Sequence, residues 1–446
     1  MPRTTFAIRS TRVLVDGQLR PATVVVREGR IEAISDLAPT GIPLQDVGDR
    51  VLMSGLVDTH VHINEPGRTE WEGFETATRA AAAGGITTVV DMPLNCIPVT
   101  TTAAALEIKK RAAAPRLWVD CGFWGGVVPG NAGELEQMVA DGICGFKAFL
   151  CHSGIDDFPN ASEADLRKAM PILARAGVPL LVHAELDLGA PSDDRAPQSY
   201  ARYLASRPKK WEDEAIALMI RLVRETGCRV HIVHLSSATA LPMLAGARAE
   251  GLPITVETCP HYLCLTAEEV PDCDTAYKCA PPIREAENRD LLWKGLSDGI
   301  IDFVISDHSP CTPHLKLPER GDFIEAWGGI ASLQLGLSTV WTEAAKRGFS
   351  IPDLHRWMSK APAAFLGRAE KGRIEPGADA DLVAWDPDAT WTIAEGDIHH
   401  RHKVTPYIGR TVRGRVHATW LRGVLIWDGT HHGPFGRGLA GRRQPM

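Results

Sequence analysis

The sequence predicts an α/β protein: a (β/α)8 TIM-type barrel with a small β-sandwich domain built from both chain ends. First, apolar strand-like runs recur about every thirty residues within 53–366, with helix-like segments between them. Second, both ends of the chain hold short β-like runs separated by glycine and charged turns. Third, no GxGxxG motif follows the first strand, so an open doubly wound sheet has less support.

The elements of the barrel can be placed in chain order. The segments EWEGFETATRAAAAGG and SEADLRKAMPILARAG have helical composition and end in glycine, which is a typical helix stop. Residues 1–52 and 367–446 are predicted to form one composite β domain, and 53–366 the barrel. The eight predicted barrel strands are 53–60, 86–92, 116–123, 144–150, 178–184, 229–235, 253–259 and 302–308.

Composition narrows the class of protein and its partners. A chain of 446 residues is too long for one ordinary hydrophobic core. The net charge of -7 argues against nucleic acid and acidic membranes as partners. No signal peptide and no membrane-spanning apolar run is recognised, and ten cysteines form no CxxC pair. These features favour a cytoplasmic protein with reduced thiols.

Residues that can take part in a metal site occur at the ends of five predicted strands. Functional side chains of a (β/α)8 barrel lie at the carboxyl ends of its strands, so these residues should meet at one rim. His60 and His62 are two positions apart, which directs both imidazoles to one face of an extended chain. The full set is His60 and His62 on strand 1, Lys147 on strand 4, His183 on strand 5, His234 on strand 6 and Asp307 on strand 8.

Lys147 lies in the apolar run ICGFKAFLCHSG, where a buried ammonium is costly. A neutral lysine amine can react with CO2 to give a carbamate, whose two oxygens can bridge two metal ions. Burial and nearby cations lower a lysine pKa and favour that amine. The alternative is an ordinary ion pair between Lys147 and a buried acid such as Asp307.

Other histidines are predicted to lie outside the metal site. His231 is three residues before His234, so the two should face opposite sides of the strand, with His231 towards the helices. His261 and His308 follow strand ends and are expected to pack in the wall. The run DIHHRHK at 397–403 has the composition of a solvated loop rather than of a metal site.

These residues and their surroundings resemble the amidohydrolase superfamily, in its branch of dihydroorotases, hydantoinases and allantoinases. The resemblance covers nearly the whole chain, including GLVDTHVH and KGRIEPGADADLVAWDP at the two junctions with the β domain. It implies a binuclear centre of divalent metal ions, usually zinc, with cobalt, manganese or iron as alternatives. The implied ligands are His60, His62, Lys147 as the CO2-derived N6-carboxylysine, His183, His234 and Asp307.

Within this branch the chain most resembles the allantoinases, in HVHINEPGRTEWEGFETATRAAAAGGITTVVDMPLN, CPHYL, KCAPPIRE and SDHSPCTPHLK. Asn64 stands where dihydroorotases have an arginine that grips a carboxylate, and His152 where hydantoinases have a tyrosine. The resemblance implies metal-dependent hydrolysis of allantoin to allantoate in purine catabolism. Asp307 would serve as base and then acid, and the expected assembly is a homotetramer.

Contacts with the small-molecule substrate are assigned from the same resemblance. The candidates are Asn64, Asn95, His152, Ala280 and Ser309, with backbone groups of the WGG loop at 327–329. For His152 and Asn95 the alternatives are a packed loop residue and a turn-forming asparagine. Alternative functions for the whole chain are a hydantoinase or dihydropyrimidinase, and a non-catalytic scaffold.

Overall fold

The structure, a computed structural model, describes residues 5–442. Its strands are β1 (Phe6–Val15), β2 (Gln18–Arg27), β3 (Arg30–Ser35), β4 (Leu44–Asp46), β5 (Val51–Ser54), β6 (Leu56–Val61), β7 (Ile86–Asp91), β8 (Asp120–Phe123), β9 (Gly125–Gly126), β10 (Phe146–Phe149), β11 (Leu180–His183), β12 (Val230–Ile232), β13 (Ile254–Thr258), β14 (Phe303–Val304), β15 (Leu382–Thr392), β16 (Thr411–Leu421) and β17 (Val424–Trp427).

The α-helices alternate with the barrel strands. They are α1 (Phe74–Ala83), α2 (Ala103–Ala113), α3 (Leu135–Ala140), α4 (Glu163–Ala176), α5 (Tyr200–Ser206), α6 (Lys209–Thr226), α7 (Leu241–Ala249), α8 (Pro260–Cys264), α9 (Ala286–Ser297), α10 (Gly336–Lys346), α11 (Ile351–His355) and α12 (Ala361–Phe365). In the described part of the chain, no helix is both long enough and apolar enough to span a membrane.

The barrel consists of two parallel arcs, β6-β7-β8 and β9-β10-β11-β12-β13-β14. The Cys144 amide donates to the Phe123 carbonyl at 2.9 Å, which joins β8 to the segment leading into β10. A parallel bridge between Val61 and His308 joins the first strand to the segment after the last. The predicted (β/α)8 barrel is therefore confirmed, although its strands are shorter than predicted.

Helix α4 illustrates why the predicted helices form. The hydroxyl of Ser162 accepts from the Asp165 amide at 3.2 Å, and the Asp165 carboxylate accepts from the Ser162 amide at 3.0 Å. This capping box satisfies two free amides of the first turn. The helix ends at Gly177, whose φ of 68° is left-handed and favours glycine.

A second sheet combines strands from both ends of the chain, as predicted. Its order is β17-β16-β15-β5-β1-β2-β3, and β4 pairs with β1. The join between the two ends is the antiparallel pairing of β15 with β5, in which Leu382 lies opposite Ser54. Apolar side chains of these strands, among them Ile8, Val24 and Trp420, form a core separate from that of the barrel.

A buried ion cluster links the barrel to this sheet. Lys371 Nζ lies 2.9 Å from Asp120 Oδ2 at the start of β8 and 2.6 Å from Asp381 Oδ2 beside β15. Arg422 adds a second contact to Asp120, at 2.5 Å. Burial disfavours the charge on Lys371, but the Asp381 and Asp120 carboxylates raise its pKa above the ordinary value. Lys371 therefore stays an ammonium, and its charge and that of Arg422 lower the pKa of Asp120 against the effect of burial.

Replacing Lys371 by methionine is expected to lower the free energy of unfolding by about 3–5 kcal/mol, because three buried carboxylates, Asp120, Asp379 and Asp381, lose a shared cation. Urea unfolding followed by tryptophan fluorescence measures the loss. The matched control is Lys294→Met, which removes an ion pair with Asp298 whose lysine is 66% exposed. The control should change stability by less than about 1 kcal/mol. Equal losses in the two variants would contradict a special role for the buried cluster.

Candidate active site

A cavity of about 510 Å³ opens at the carboxyl ends of the barrel strands. All six predicted metal ligands line it, and so do four of the five predicted substrate contacts. The lining includes His60, His62, Lys147, His183, His234, Asp307, Asn95, His152, Ala280, Ser309 and the loop 324–329. The fifth predicted contact, Asn64, does not line the cavity. Its buried side chain donates from Nδ2 to the Pro310 carbonyl at 3.2 Å.

One group in the cavity consists of His60, His62 and Asp307. Their candidate ligand atoms all lie within 4.8 Å of one another. Asp307 Oδ1 is 3.2 Å from His60 Nε2 and 3.5 Å from His62 Nε2. Burial disfavours the charge on Asp307, but its contact with His62 lowers its pKa below the ordinary value. Asp307 is therefore a carboxylate held against two imidazoles.

The second group consists of His183, His234 and Lys147. His183 Nδ1 lies 3.0 Å from His234 Nε2, and the His183 ring stacks on Phe149 with centroids 4.6 Å apart. Lys147 Nζ is 5.0 Å from the centroid of the same Phe149 ring. Burial lowers the pKa of Lys147 to about 8, although Asp307 and Glu257 oppose this shift.

Lys147 does not form the ordinary ion pair that was the alternative from sequence. Within residues 5–442, its Nζ is fully buried and has no hydrogen-bond partner. The lowered pKa and the missing hydrogen-bond partner both raise the fraction of neutral amine relative to an ordinary lysine. This environment fits the amine that a carbamate requires.

Several nitrogen atoms in the cavity fit a divalent metal centre. In the described part of the chain, His60 Nε2, His62 Nδ1 and His234 Nδ1 are buried without a hydrogen-bond partner. Buried polar atoms are rarely left unpaired in native structures. Imidazole nitrogens with a carboxylate are a donor set that suits zinc and the neighbouring transition metals.

The carboxylate of Glu257 lies beneath His60. Its Oε1 is 2.6 Å from His60 Nδ1, and its Oε2 is 2.9 Å from His231 Nε2. The remaining ring nitrogen of His231 lies 2.8 Å from Thr255 Oγ1. A proton on His60 Nδ1 that is donated to Glu257 leaves the lone pair of Nε2 directed to the cavity. Glu257 thus orients His60.

The prediction that His231 points towards the outer helices is wrong. In the parallel register, Lys147 pairs with Leu181, Leu181 with His231, and His231 with Thr255. Residues paired in this way share one face of a sheet, so His231 lies on the face of Lys147. The alternation rule failed because β12 ends at Ile232 and His234 has a left-handed φ of 41°.

A second carboxylate holds His183. Glu185 Oε2 is 2.7 Å from His183 Nε2, and Arg207 Nε donates to Glu185 Oε1 at 3.1 Å. Burial favours the neutral acid, but the Arg207 charge and the His183 hydrogen bond lower the pKa of Glu185 to about 2. His183 therefore rests on a carboxylate whose charge is fully compensated.

The predicted substrate contacts differ in how they are held. Asn95 has a left-handed φ of 66°, and its Oδ1 has no hydrogen-bond partner among the described residues. His152 is exposed, and its Nδ1 accepts from the Gly154 amide at 3.1 Å. The Ser309 hydroxyl donates to Asp307 Oδ1 at 2.9 Å. Ser309 therefore contacts the predicted catalytic acid directly.

His308 and His261 are both fully buried. His308 Nε2 lies 3.1 Å from Glu72 Oε2, and its Nδ1 accepts from the Ser332 amide at 3.2 Å, as expected of a wall residue. His261 forms a group with Cys259 and Asp307, with their polar atoms within 4.8 Å of one another.

The histidine-rich run 397–403 is only partly the solvated loop that its composition predicts. His400 is fully buried, and its ring lies 5.3 Å from the ring of His308. Packing beneath His308 accounts for this burial.

Comparison with known proteins fits this geometry. The Amidohydrolase family model matches residues 51–426. The chain belongs to the amidohydrolase family. An allantoinase of Streptomyces avermitilis is 51% identical over 445 residues, which cover 99% of each chain. The allantoinase of Saccharomyces cerevisiae is 43% identical, over 98% of this chain and 99% of its own.

Among solved structures, the L-hydantoinase (dihydropyrimidinase) of Arthrobacter aurescens matches with a TM-score of 0.89 and 31% identity. The match covers 98% of this chain and 100% of that protein. The resemblance to the cyclic amidase branch of the amidohydrolases, and within it to the allantoinases, is thereby confirmed.

Sequence reasoning missed three charged residues of this amidohydrolase site: Glu257, Glu185 and Arg207. A signal was present for the two glutamates, since Glu257 interrupts the apolar strand PITVETC and Glu185 follows LLVH. A charged residue in an apolar strand is the same signal that identified Lys147. Arg207 had no such signal, because it lies between helices α5 and α6.

Replacing Glu257 by glutamine should weaken metal retention by about 10–100-fold, because one amide oxygen cannot accept from both His60 and His231. Metal content after dialysis against graded chelator measures retention, and circular dichroism checks the fold. The matched control is Glu107→Gln on α2, whose glutamate is 53% exposed. Retention equal to that of the control would refute the orienting role of Glu257.

Proposed function

We propose that this amidohydrolase opens the hydantoin ring of allantoin by hydrolysing a ring amide, which gives allantoate. The observation that carries the proposal is the 51% identity to an allantoinase over 99% of both chains. The cavity supports it, because its volume of about 510 Å³ suits a small molecule and its base holds the predicted metal-binding side chains.

The metal centre is proposed to use all six predicted ligands. His60, His62, His183, His234 and Asp307 would hold two divalent ions, expected to be zinc, together with a carbamate on Lys147. In forming it, Lys147 Nζ attacks the carbon of CO2, an N–C bond forms and one proton leaves. Bound divalent ions supply Lewis acidity, which lowers the pKa of water and polarises a carbonyl.

Asp307 is the proposed proton carrier. It begins as a carboxylate, since its pKa lies below the ordinary value. It accepts one proton of the attacking water and then gives that proton to the departing ring nitrogen as the ring C–N bond breaks. The water oxygen becomes part of the new carboxyl group, which releases the second proton to become a carboxylate. The Ser309 hydroxyl, which donates to Oδ1 at 2.9 Å, fixes the carboxylate plane during this transfer.

The proposed substrate contacts are amide, imidazole and backbone groups, which can donate or accept hydrogen bonds. The unpaired Oδ1 of Asn95 is an acceptor for an N–H of the ring or of the ureido group. His152 lies at the exposed rim and is proposed to donate to the developing oxyanion. Backbone groups at Ala280 and in the loop 324–329 complete the set. Asn64 is proposed to act indirectly, because its hydrogen bond to the Pro310 carbonyl fixes the loop that follows Ser309.

A hydantoinase or dihydropyrimidinase activity is the second candidate. The observation that favours it is the TM-score of 0.89 to an L-hydantoinase over 98% of this chain. Both candidates use the same metal chemistry and differ in what surrounds the ring. A role in purine catabolism, a cytoplasmic location and a homotetramer are proposed from the family resemblance alone.

The metal-loaded enzyme is expected to hydrolyse allantoin at least about tenfold more efficiently than hydantoin, dihydrouracil or dihydroorotate. Polar groups built for the ureido substituent are left unpaired by rings that lack it. Comparison of kcat/KM on one preparation of known metal content tests this. Preference for hydantoin or dihydrouracil would transfer the enzyme to the second candidate, and no turnover of any of the four rings would overturn both.

Lys147→Ala should lose bound metal and activity together, because no carbamate can form. Short carboxylic acids, added at millimolar concentration with fresh metal, should restore part of the activity by supplying two oxygens in its place. Metal analysis and turnover are measured with and without acid. The matched control is Lys109→Ala, another buried lysine, whose Nζ contacts Asp91 Oδ2 at 2.6 Å and which acid should not rescue. Full metal content in Lys147→Ala without acid would exclude a bridging carbamate.

A further inference from the structure

Two buried lysines hold the loop 324–329 over the active-site cavity. Lys278 Nζ donates to the Ile324 carbonyl at 2.9 Å and to the Ala326 carbonyl. Lys316 Nζ donates to the Trp327 carbonyl at 3.1 Å and to the Gly329 carbonyl. The two ammonium groups thus gather carbonyl oxygens from one side of the loop. All six residues of the loop line the cavity.

The two lysines differ in how many of their donors are used. An ammonium group has three N–H donors. Lys316 reaches a third carbonyl, that of Lys278, at 3.4 Å, and it is absent from the lining of the active-site cavity. Among the described residues, Lys278 Nζ makes two hydrogen bonds, and Lys278 does line the cavity. One donor of Lys278 is therefore left over at the cavity wall.

The surroundings of Lys278 also favour an additional acceptor. Its Nζ lies 5.1 Å from the centroid of the Tyr203 ring, which lines the same cavity. Burial and the nearby charges of Lys316 and Arg207 lower the pKa of Lys278 to about 7. An oxygen atom brought into the cavity would stabilise the charged form and gain a charge-assisted hydrogen bond.

The loop that Lys278 holds is coupled to the reacting end of the cavity. Gly329 has a φ of +137°, and a Cβ at this position would lie 2.4 Å from the Ser309 carbonyl oxygen. The loop backbone therefore rests directly against Ser309, whose hydroxyl donates to Asp307. A ligand bound to Lys278 is thus positioned by the same loop that contacts Ser309, the hydrogen-bond partner of the proposed proton carrier Asp307.

We propose that Lys278 is a specificity-determining residue, which holds the loop with two N–H groups and donates the third to the carbonyl of the ureido substituent of allantoin. This inference rests on the proposed function. It explains how the enzyme could select allantoin over hydantoin although neither is charged. The two compounds share the same ring, and only allantoin carries the ureido group. The ring itself is handled at the metal-binding end of the cavity, so the two contacts are separable.

The test uses the metal-loaded enzyme and the variants Lys278→Met and Lys316→Met. For each, KM for allantoin and the inhibition constant of hydantoin against allantoin hydrolysis are measured. Loss of the loop clamp weakens both ligands alike, whereas loss of the ureido contact weakens allantoin alone. Lys278→Met should raise the ratio of the allantoin KM to the hydantoin inhibition constant about tenfold or more. Lys316→Met should leave this ratio within about twofold.

An unchanged ratio in Lys278→Met would overturn the inference, and so would equal changes in both variants. Lys278→Gln keeps an amide donor for the loop without the third N–H, and it serves the same comparison if the methionine variant misfolds. If the unaltered enzyme does not hydrolyse allantoin, the proposed function itself fails. If it does and the ratio is unmoved, only the role of Lys278 fails.

Discussion

The structure of the active site depends on the burial of a lysine amine, Lys147, that has no hydrogen-bond partner among the described residues. Lys147 is fully enclosed, and its charge is disfavoured by the barrel around it. Burial is also the main reason that the pKa values of His60 and His234 lie well below the ordinary value, and neighbouring ionisable groups of the site add to this shift. Nitrogen atoms with free lone pairs are the result. Burying several unpaired nitrogen atoms costs folding free energy in the metal-free protein, and bound cations would offset that cost.

Two carboxylates, Glu185 and Glu257, fix the orientation of the histidine rings. They differ in how their own negative charge is stabilised. Glu185 is charged at all moderate pH values because Arg207 compensates it. Among residues 5–442 no arginine contacts Glu257, and burial raises its pKa well above the ordinary value although Lys147 opposes this shift. The charge on Glu257 therefore depends on positive charge above it. The charge of the carboxylate beside His60 therefore depends on cations bound in the cavity. The charge of the carboxylate beside His183 does not, because Arg207 already compensates it.

The sequence predicted the fold and the positions of the strand-end residues because both follow from periodicity. His60 and His62 face one way on an extended chain, as the alternation rule requires. The rule failed at His231 because the strand stops before His234, and backbone that leaves a strand has no fixed alternation. Glu257 was missed although its charge in an apolar strand is visible in sequence. Lys278 could not be found, because its partners are backbone carbonyls and any sequence supplies those.

The division between strands and loops also explains how similar folds support different substrates. The likeness to an L-hydantoinase spans the barrel at 31% identity, so most side chains differ on a shared frame. Three of the predicted metal ligands, His60, Lys147 and His183, lie on strands and are fixed by the ladder. The other three, His62, His234 and Asp307, lie just after strand ends. Asn95 and Asp307 instead occupy left-handed backbone, at φ of 66° and 45°, where strands have already ended. Such conformations cost about 1–3 kcal/mol unless the surroundings hold them. At Asp307 that support includes the hydrogen bond from Ser309, and the backbone of Ser309 packs against Gly329 of the loop 324–329. A change of substrate is therefore expected to involve this loop and the lysines that hold it rather than the barrel strands.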